Sequence, residues 1–290
     1  MHGAFRGRTA VAEGVSPKQL FTLQAHGAVE RVFPDTYRLT GAPRSHDQML
    51  RAALLWAGDG AAAASRSAGM TYGLEGVKTV VPVIAVPEEM PRRAAGVEVH
   101  RYCDRRALMI RHVRGVAVTG VEPTLLALAH ELDDESLEVA CEDARRRRLT
   151  SVPAMRAYLD RFARRGRPGV VSMRRLLAEL DPRHPSRSTL EVKTRRLLVA
   201  RGITNFAREF PLDWRGRTHR FDFAFPEATT ILETNGRRWH DDPSDYEDDH
   251  EKWSVPGRHG LRLVLATWEK VTEKPDDLIQ ELLAAMAAHR

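Results

Sequence analysis

The chain has 290 residues, 42% of them hydrophobic and 29% charged, and carries a net charge of +6 at neutral pH. At roughly 150 residues per domain that length suits about two domains, and the ordinary composition excludes a disordered, collagenous or coiled-coil chain. No stretch approaches the roughly 20 apolar residues of a bilayer span, and the nearest, 52–64, is broken by Asp59 and Gly60.

Behind Arg6 and Arg8 no apolar segment follows, so no secretion signal is read, and a cytoplasmic protein without a membrane partner is expected. Two cysteines, Cys103 and Cys141, are too few for a disulfide framework. The positive charge suits a polyanionic partner such as nucleic acid.

In chain order, Ser16-Pro17 supplies the cap and first turn of a helix that continues through Leu20 and Leu23 until Gly27 stops it. A shorter helix over 9–13 precedes it, and 28–33, the Pro34-Asp35 turn and 36–39 read as a two-stranded hairpin. Helix, turn, helix, hairpin is the order of a winged helix-turn-helix, placed at 1–42. Residues 43–184 alternate helices (46–56, 122–132, 135–147, 152–162) with strands (80–86, 97–102, 115–118), an α+β middle region. Cys141 shares a helical stripe with Leu137 and Ala144 and is read as a core thiol. The arginine run 145–148 is read first as the solvated end of a helix and second as a phosphate contact. Segments 164–168 and 181–186 read as connectors.

A third region spans 185–290. Ser188 caps a helix with the stripe Leu190, Leu197, Leu198, ending at Gly202. Strands 206–212 and 218–225 flank the Arg215-Gly216 turn; by alternation Phe221, Phe223 and Phe225 share one face and Arg220, Asp222 and Ala224 the other. A strand over 230–234, a helix over 245–254, a strand over 261–266 and a helix from Pro275 to 287 complete an α/β domain with a mixed sheet flanked by helices.

Asp222 and Glu233 fall on neighbouring strands, where two carboxylates can converge on one divalent cation, Mg²⁺ or Mn²⁺. Glu191, on the preceding helix, can add a third. The competing readings are structural: Glu191, three residues after Ser188, closes a capping box, Asp222 pairs with Arg220 at the surface, and the aspartates at 241, 242, 245, 248 and 249 form a solvated acidic loop.

The motifs Ser188-Thr189-Leu190-Glu191, Arg220-Phe221-Asp222-Phe223 and Ile231-Leu232-Glu233-Thr234-Asn235-Gly236-Arg237-Arg238-Trp239-His240 resemble the very-short-patch-repair-like branch of the PD-(D/E)XK nuclease superfamily. So do Tyr246-Glu247-x-Asp249-x-x-Lys252 and the ending Leu261 to Trp268. The resemblance implies a restriction-endonuclease-like fold and a metal held by Asp222, Glu233 and the main-chain carbonyl of Thr234, with Glu191 assisting. The superfamily places Lys two residues after Glu233, whereas this chain has Asn235, an amide that cannot act as a base. His240, whose imidazole titrates near about 6.5 when unperturbed, and Lys252 are the alternatives for activating water, with His240 preferred.

Gly14-Val15-Ser16-Pro17-x-x-Leu20 and Val29-Glu30-Arg31-Val32-Phe33-Pro34-x-x-Tyr37-Arg38-Leu39 resemble the winged-helix module of AbiE-type antitoxins. That implies Lys18, Gln19 and Thr22 facing the major groove and Arg31 and Arg38 touching phosphate from the wing. The expectation is a DNA-binding protein with a Mg²⁺-dependent endonuclease domain. Its alternative is a repressor or antitoxin with a catalytically degenerate nuclease-like domain, partnered by a cognate toxin or a second copy. A third class, RNA processing, fits the basic charge but finds no RNA-binding signature.

Overall fold

The structure, a computed structural model, describes residues 3–88, 93–164, 166–180, 188–235 and 243–287, with backbone alone over 243–250. The chain divides into two compact units, Met1–Leu180 and Asp181–Arg290. Both are mixed α/β, with sheets flanked by helices. No helix among the described residues is long and apolar enough to cross a membrane.

The first unit opens with β1 (Ala4–Arg6), α1 (Gly7–Ala12), α2 (Pro17–Ala25), β2 (Val29–Phe33) and β3 (Thr36–Leu39). The Ser16 hydroxyl accepts from the Gln19 N–H and the Gln19 side chain accepts from the Ser16 N–H, a complete capping box that fixes where α2 begins. β1 pairs antiparallel with β3, so the hairpin is extended to a three-stranded sheet ordered β1-β3-β2, with β3 in the centre. Sequence patterning missed β1 because three residues carry no measurable alternation. Residues 3–42 share a core with α3 (His46–Ala57): Phe33 stacks on Trp56 of that helix, ring centroids 5.6 Å apart.

Beyond α3 lie β4 (Ala62–Ala63), α4 (Ser65–Tyr72), β5 (Val83–Pro87), β6 (Glu98–Tyr102), β7 (Arg111–Val113) and β8 (Val116–Val118). The five strands form a mixed sheet ordered β6-β5-β4-β8-β7. Helices α5 (Val121–Glu131), α6 (Asp134–Arg146), α7 (Val152–Phe162) and α8 (Val170–Glu179) bury Leu125, Leu137, Met155 and Leu176 in one continuous core with Ile84 and Val118. Gly169 enters α8 at φ 81, and a Cβ there would lie 2.4 Å from the Leu126 carbonyl oxygen, so only glycine fits. Cys141 is fully buried, and burial raises its thiol pKa.

The arginine run at the end of α6 is the solvated terminus its composition implied only in part: Arg147 and Arg148 are exposed, but the start of the run is not. Arg145 is buried and donates to Glu142 Oε2 at 2.6 Å. Arg146 and Arg147 both reach Asp143, and Arg147 also donates to the carbonyls of Tyr72 and Gly73. Guanidinium forks here brace α6 against the end of α4, a long-range contact invisible in a local reading of charge.

The second unit runs α9 (Thr189–Ala200), β9 (Ala207–Trp214), β10 (Arg217–Phe225), β11 (Thr230–Asn235), α10 (Pro243–Arg258), β12 (Arg262–Thr267), α11 (Trp268–Thr272) and α12 (Pro275–Ala287). Its sheet is ordered β12-β11-β10-β9, with β11 and β12 parallel and the other pairs antiparallel. The Ser188 hydroxyl caps α9 by accepting from the Glu191 N–H at 3.1 Å. Leu190, Leu198, Phe223, Phe225, Leu232, Leu278 and Leu282 build one core, while Phe221, Ala224, Ile231 and Val255 of α10 build another.

The expectation that Phe221, Phe223 and Phe225 share one face is therefore wrong, since Phe221 packs with Ala224. The alternation slips at Asp222. Phe221 pairs with Phe210 and Phe223 with Arg208, but the intervening pair is absent from the ladder, and Glu209, which would fill it, sits in the left-handed region at φ 51.

Candidate metal centre

The slip in the sheet is where the acidic residues meet. Glu191, in the first turn of α9, Glu209 on β9 and Asp222 on β10 are all buried, and each offers a carboxylate oxygen within 4.8 Å of the others. The N-terminal turn of α9 favours the Glu191 charge, and its Oε1 accepts from Arg208 Nη2 at 2.8 Å. The carboxylate is thus turned to the sheet.

Asp222 and Glu233 lie across from one another on β10 and β11 and are tied by side-chain-to-backbone bonds. The Asp222 N–H donates to Glu233 Oε2 at 3.0 Å, and the Thr234 N–H donates to Asp222 Oδ2 at 2.8 Å. The Thr234 hydroxyl bonds the same Oδ2. Two carboxylates therefore occupy positions that ladder carbonyls would otherwise take, and the regular β10–β11 pairing ends at Phe223–Leu232. Arg220 does not form the surface pair with Asp222; its Nη1 donates to the Glu209 carbonyl at 3.3 Å.

Glu233 lies beside the trio of Glu191, Glu209 and Asp222. Its Oε1 accepts from Lys252 Nζ, from α10, and the ammonium also stands over the Phe221 ring, 5.1 Å from its centroid. Burial, then the nearby Asp222 charge, raise the Glu233 carboxyl to about 7, with Lys252 pulling the other way. Negative charge is concentrated here in a poorly solvated place. All-oxygen donors of this kind suit a hard divalent cation such as Mg²⁺ or Mn²⁺.

Of the expected site residues, Glu191, Asp222, Glu233, Thr234 and Lys252 come together. His240 lies outside the described residues, as do Asp241 and Asp242; for Asp245, Asp248 and Asp249 only the backbone is described. Glu209 and Arg208 were missed. A signal for Glu209 existed: counting register back from the Arg215-Gly216 turn, through Asp213–Thr218, sets Glu209 opposite Asp222.

The expected nucleic-acid contacts fare unevenly. Lys18, Gln19 and Thr22 are exposed on α2, but the Gln19 side chain is held in the capping box and the Thr22 hydroxyl bonds the Lys18 carbonyl. Arg31 is exposed. Arg38 is turned inward: its side chain is 11% exposed, with Nε on Glu30 Oε2 at 2.6 Å and Nη1 on the Ala42 carbonyl and Gln48 Oε1. It braces the sheet.

A second trio, Glu98, His100 and Glu131, occurs in the first unit. There the Glu131 carboxylate is engaged by the Ser65 hydroxyl and by Arg66 Nε at 3.0 Å.

No family model matches the chain, and no curated protein does. Among solved structures it is similar to the RV2827C protein of Mycobacterium tuberculosis, with 17% sequence identity, a TM-score of 0.46, and coverage of 66% of this chain and 75% of that one. A likeness at that level identifies neither a family nor an activity.

Proposed function

We propose that residues 188–287 form a Mg²⁺- or Mn²⁺-dependent DNA endonuclease domain of the restriction-endonuclease-like type, and that the N-terminal helices and sheet act as a winged helix-turn-helix that engages DNA. The observation that carries this reading is the gathering of four buried carboxylates, Glu191, Glu209, Asp222 and Glu233, at one break in the sheet with Lys252 in contact.

Asp222 would be the central ligand, joined by Glu233 or by Glu191 and Glu209, with the Thr234 carbonyl as an expected main-chain ligand. A bound divalent cation would supply Lewis acidity toward the scissile phosphate and charge stabilisation at the leaving oxygen. The chain's own residues do the positioning. Thr234 fixes one Asp222 oxygen through two donors, which orients the carboxylate. Arg208 fixes Glu191. Lys252, as an ammonium, holds Glu233 and has further N–H donors to offer a phosphate oxygen. It supplies the cation that Asn235 cannot. On the DNA-binding side, Lys18 and Arg31 are the contacts retained, and Arg38 is withdrawn from that role.

The test is incubation of the purified chain with supercoiled plasmid in Mg²⁺, alongside Asp222→Asn. Nicking that needs the metal and disappears in the variant supports the reading. A DNA complex that shifts mobility without any cutting, at all metal concentrations, overturns the nuclease assignment in favour of a regulator.

A further inference from the structure

A cavity of about 670 Å³ in the first unit, remote in sequence from the acidic site, is lined by β1, the end of α3, the turn at 58–61 and the β7–β8 turn. Two arginines line it, and both are held in place. Arg6 Nη2 donates to the Trp56 carbonyl at 3.2 Å, and Arg51 Nη2 donates to the Arg114 carbonyl at 2.8 Å. Neither guanidinium has a carboxylate partner among the described residues, and the Nε of each is shielded from solvent with no hydrogen-bond partner there. Each guanidinium thus lines the cavity as a cation without a carboxylate counter-charge, which favours an anion.

Each guanidinium has a glycine beside it. A Cβ at Gly58 would lie 3.8 Å from Arg6 Nη2, and one at Gly115 would lie 3.9 Å from Arg51 Nη1. Both glycines have positive φ, 86° and 72°, so larger residues are disfavoured there on conformational grounds as well. Exposed His112 adds a third nitrogen donor to the lining.

We propose that this cavity binds a small organic phosphate monoester, with the phosphate between Arg6 and Arg51. Two cationic guanidinium groups on the lining match the charge of a phosphate dianion. Leu54, Leu55 and Val116 give the rest of the molecule an apolar wall, and Asp59 offers an acceptor for a hydroxyl or amino group. The same Asp59 opposes a polyanion, whose neighbouring phosphates would meet its carboxylate. The volume lies within the range of small-molecule sites, about 300–1,000 Å³.

The test is calorimetric titration of the full chain in EDTA at fixed ionic strength, using inorganic phosphate and adenosine 5′-monophosphate as probes. Saturable binding of both is expected, the nucleotide at least tenfold tighter because it also meets the apolar wall. Arg51→Gln is expected to weaken both probes at least tenfold. Leu55→Glu, at a side chain already 37% exposed, places a negative charge in the cavity without removing an arginine and is expected to abolish binding while the circular dichroism spectrum and melting temperature stay as in the parent chain. Asp222→Asn is expected to bind as the parent does, which separates this proposal from the nuclease reading. No saturable binding of either probe beyond a chloride control, or equal binding in the folded Leu55→Glu variant, would overturn it. So would loss of duplex DNA binding in Leu55→Glu with no nucleotide binding in the parent, since the cavity would then be a nucleic-acid contact.

Discussion

Glu233 gives a quantitative handle on the acidic site that needs neither metal nor DNA. Its carboxyl is raised from 4.5 to about 7 by burial and by Asp222, against the pull of Lys252. At about 1.36 kcal/mol per pH unit that difference corresponds to about 3 kcal/mol between its two protonation states. The folded-state value is the higher one, so the stabilising contribution is complete below pH 4.5 and is lost as pH rises through 7. The unfolding free energy of the second unit is therefore expected to fall by about 3 kcal/mol between pH 4.5 and 8 from this group alone. Glu233→Gln cannot titrate. The variant loses its bond from Lys252, which shifts its stability by an offset, so the quantity to read is how the difference between parent and variant changes with pH. Urea denaturation in EDTA, followed by tryptophan fluorescence, suits the purpose because four of the five tryptophans, at 214, 239, 253 and 268, fall in the second unit. A parent-minus-variant difference that changes by less than about 0.5 kcal/mol over this window would refute the reasoning, because Glu233 would then behave as an ordinary solvated carboxylate.

Other perturbations probe separate parts of the account. Phe223→Ala removes a fully buried ring from the core of the second unit and is expected to cost about 3–5 kcal/mol in denaturant unfolding. Arg145→Ala removes the buried guanidinium bonded to Glu142 on α6 and is expected to cost about 3–5 kcal/mol in the first unit, whereas a solvated arginine would change stability by less than about 0.5. Glu209→Gly relieves the left-handed backbone at φ 51 and removes a buried carboxylate, so in EDTA it is expected to raise stability by about 1 kcal/mol while weakening Mn²⁺ binding. An unchanged melting curve would show that the backbone there is unstrained.

The order of elements in the second unit was legible because each depends on local chemistry. Ser188 caps its helix, the Arg215-Gly216 turn reverses the chain, and Pro275 opens the last helix, all as expected. Asp222 and Glu233 were legible as neighbours because a turn between two strands sets them across from each other. What patterning could not show was the irregularity between them. A period-2 reading assumes an unbroken ladder, and at Glu209 the ladder breaks, which moves Phe221 to the other core. The inward turn of Arg38 and the burial of Arg145 failed for a related reason. Arg38 depends on acceptors brought close by folding, Ala42 and Gln48, while Arg145, whose partner Glu142 is local on α6, is buried by what packs over that face. The short elements β1, α11 and β7 carry too few residues to imprint a period.

On the proposed reading, Asp222 anchors a divalent cation among these carboxylates. Electron paramagnetic resonance of free Mn²⁺ during titration into the intact chain measures this directly. One saturable equivalent per chain, displaced by excess Mg²⁺ and absent in a folded Asp222→Asn variant, is the expected result. Unbound Mn²⁺ throughout the titration, or equal uptake by the variant, would contradict it.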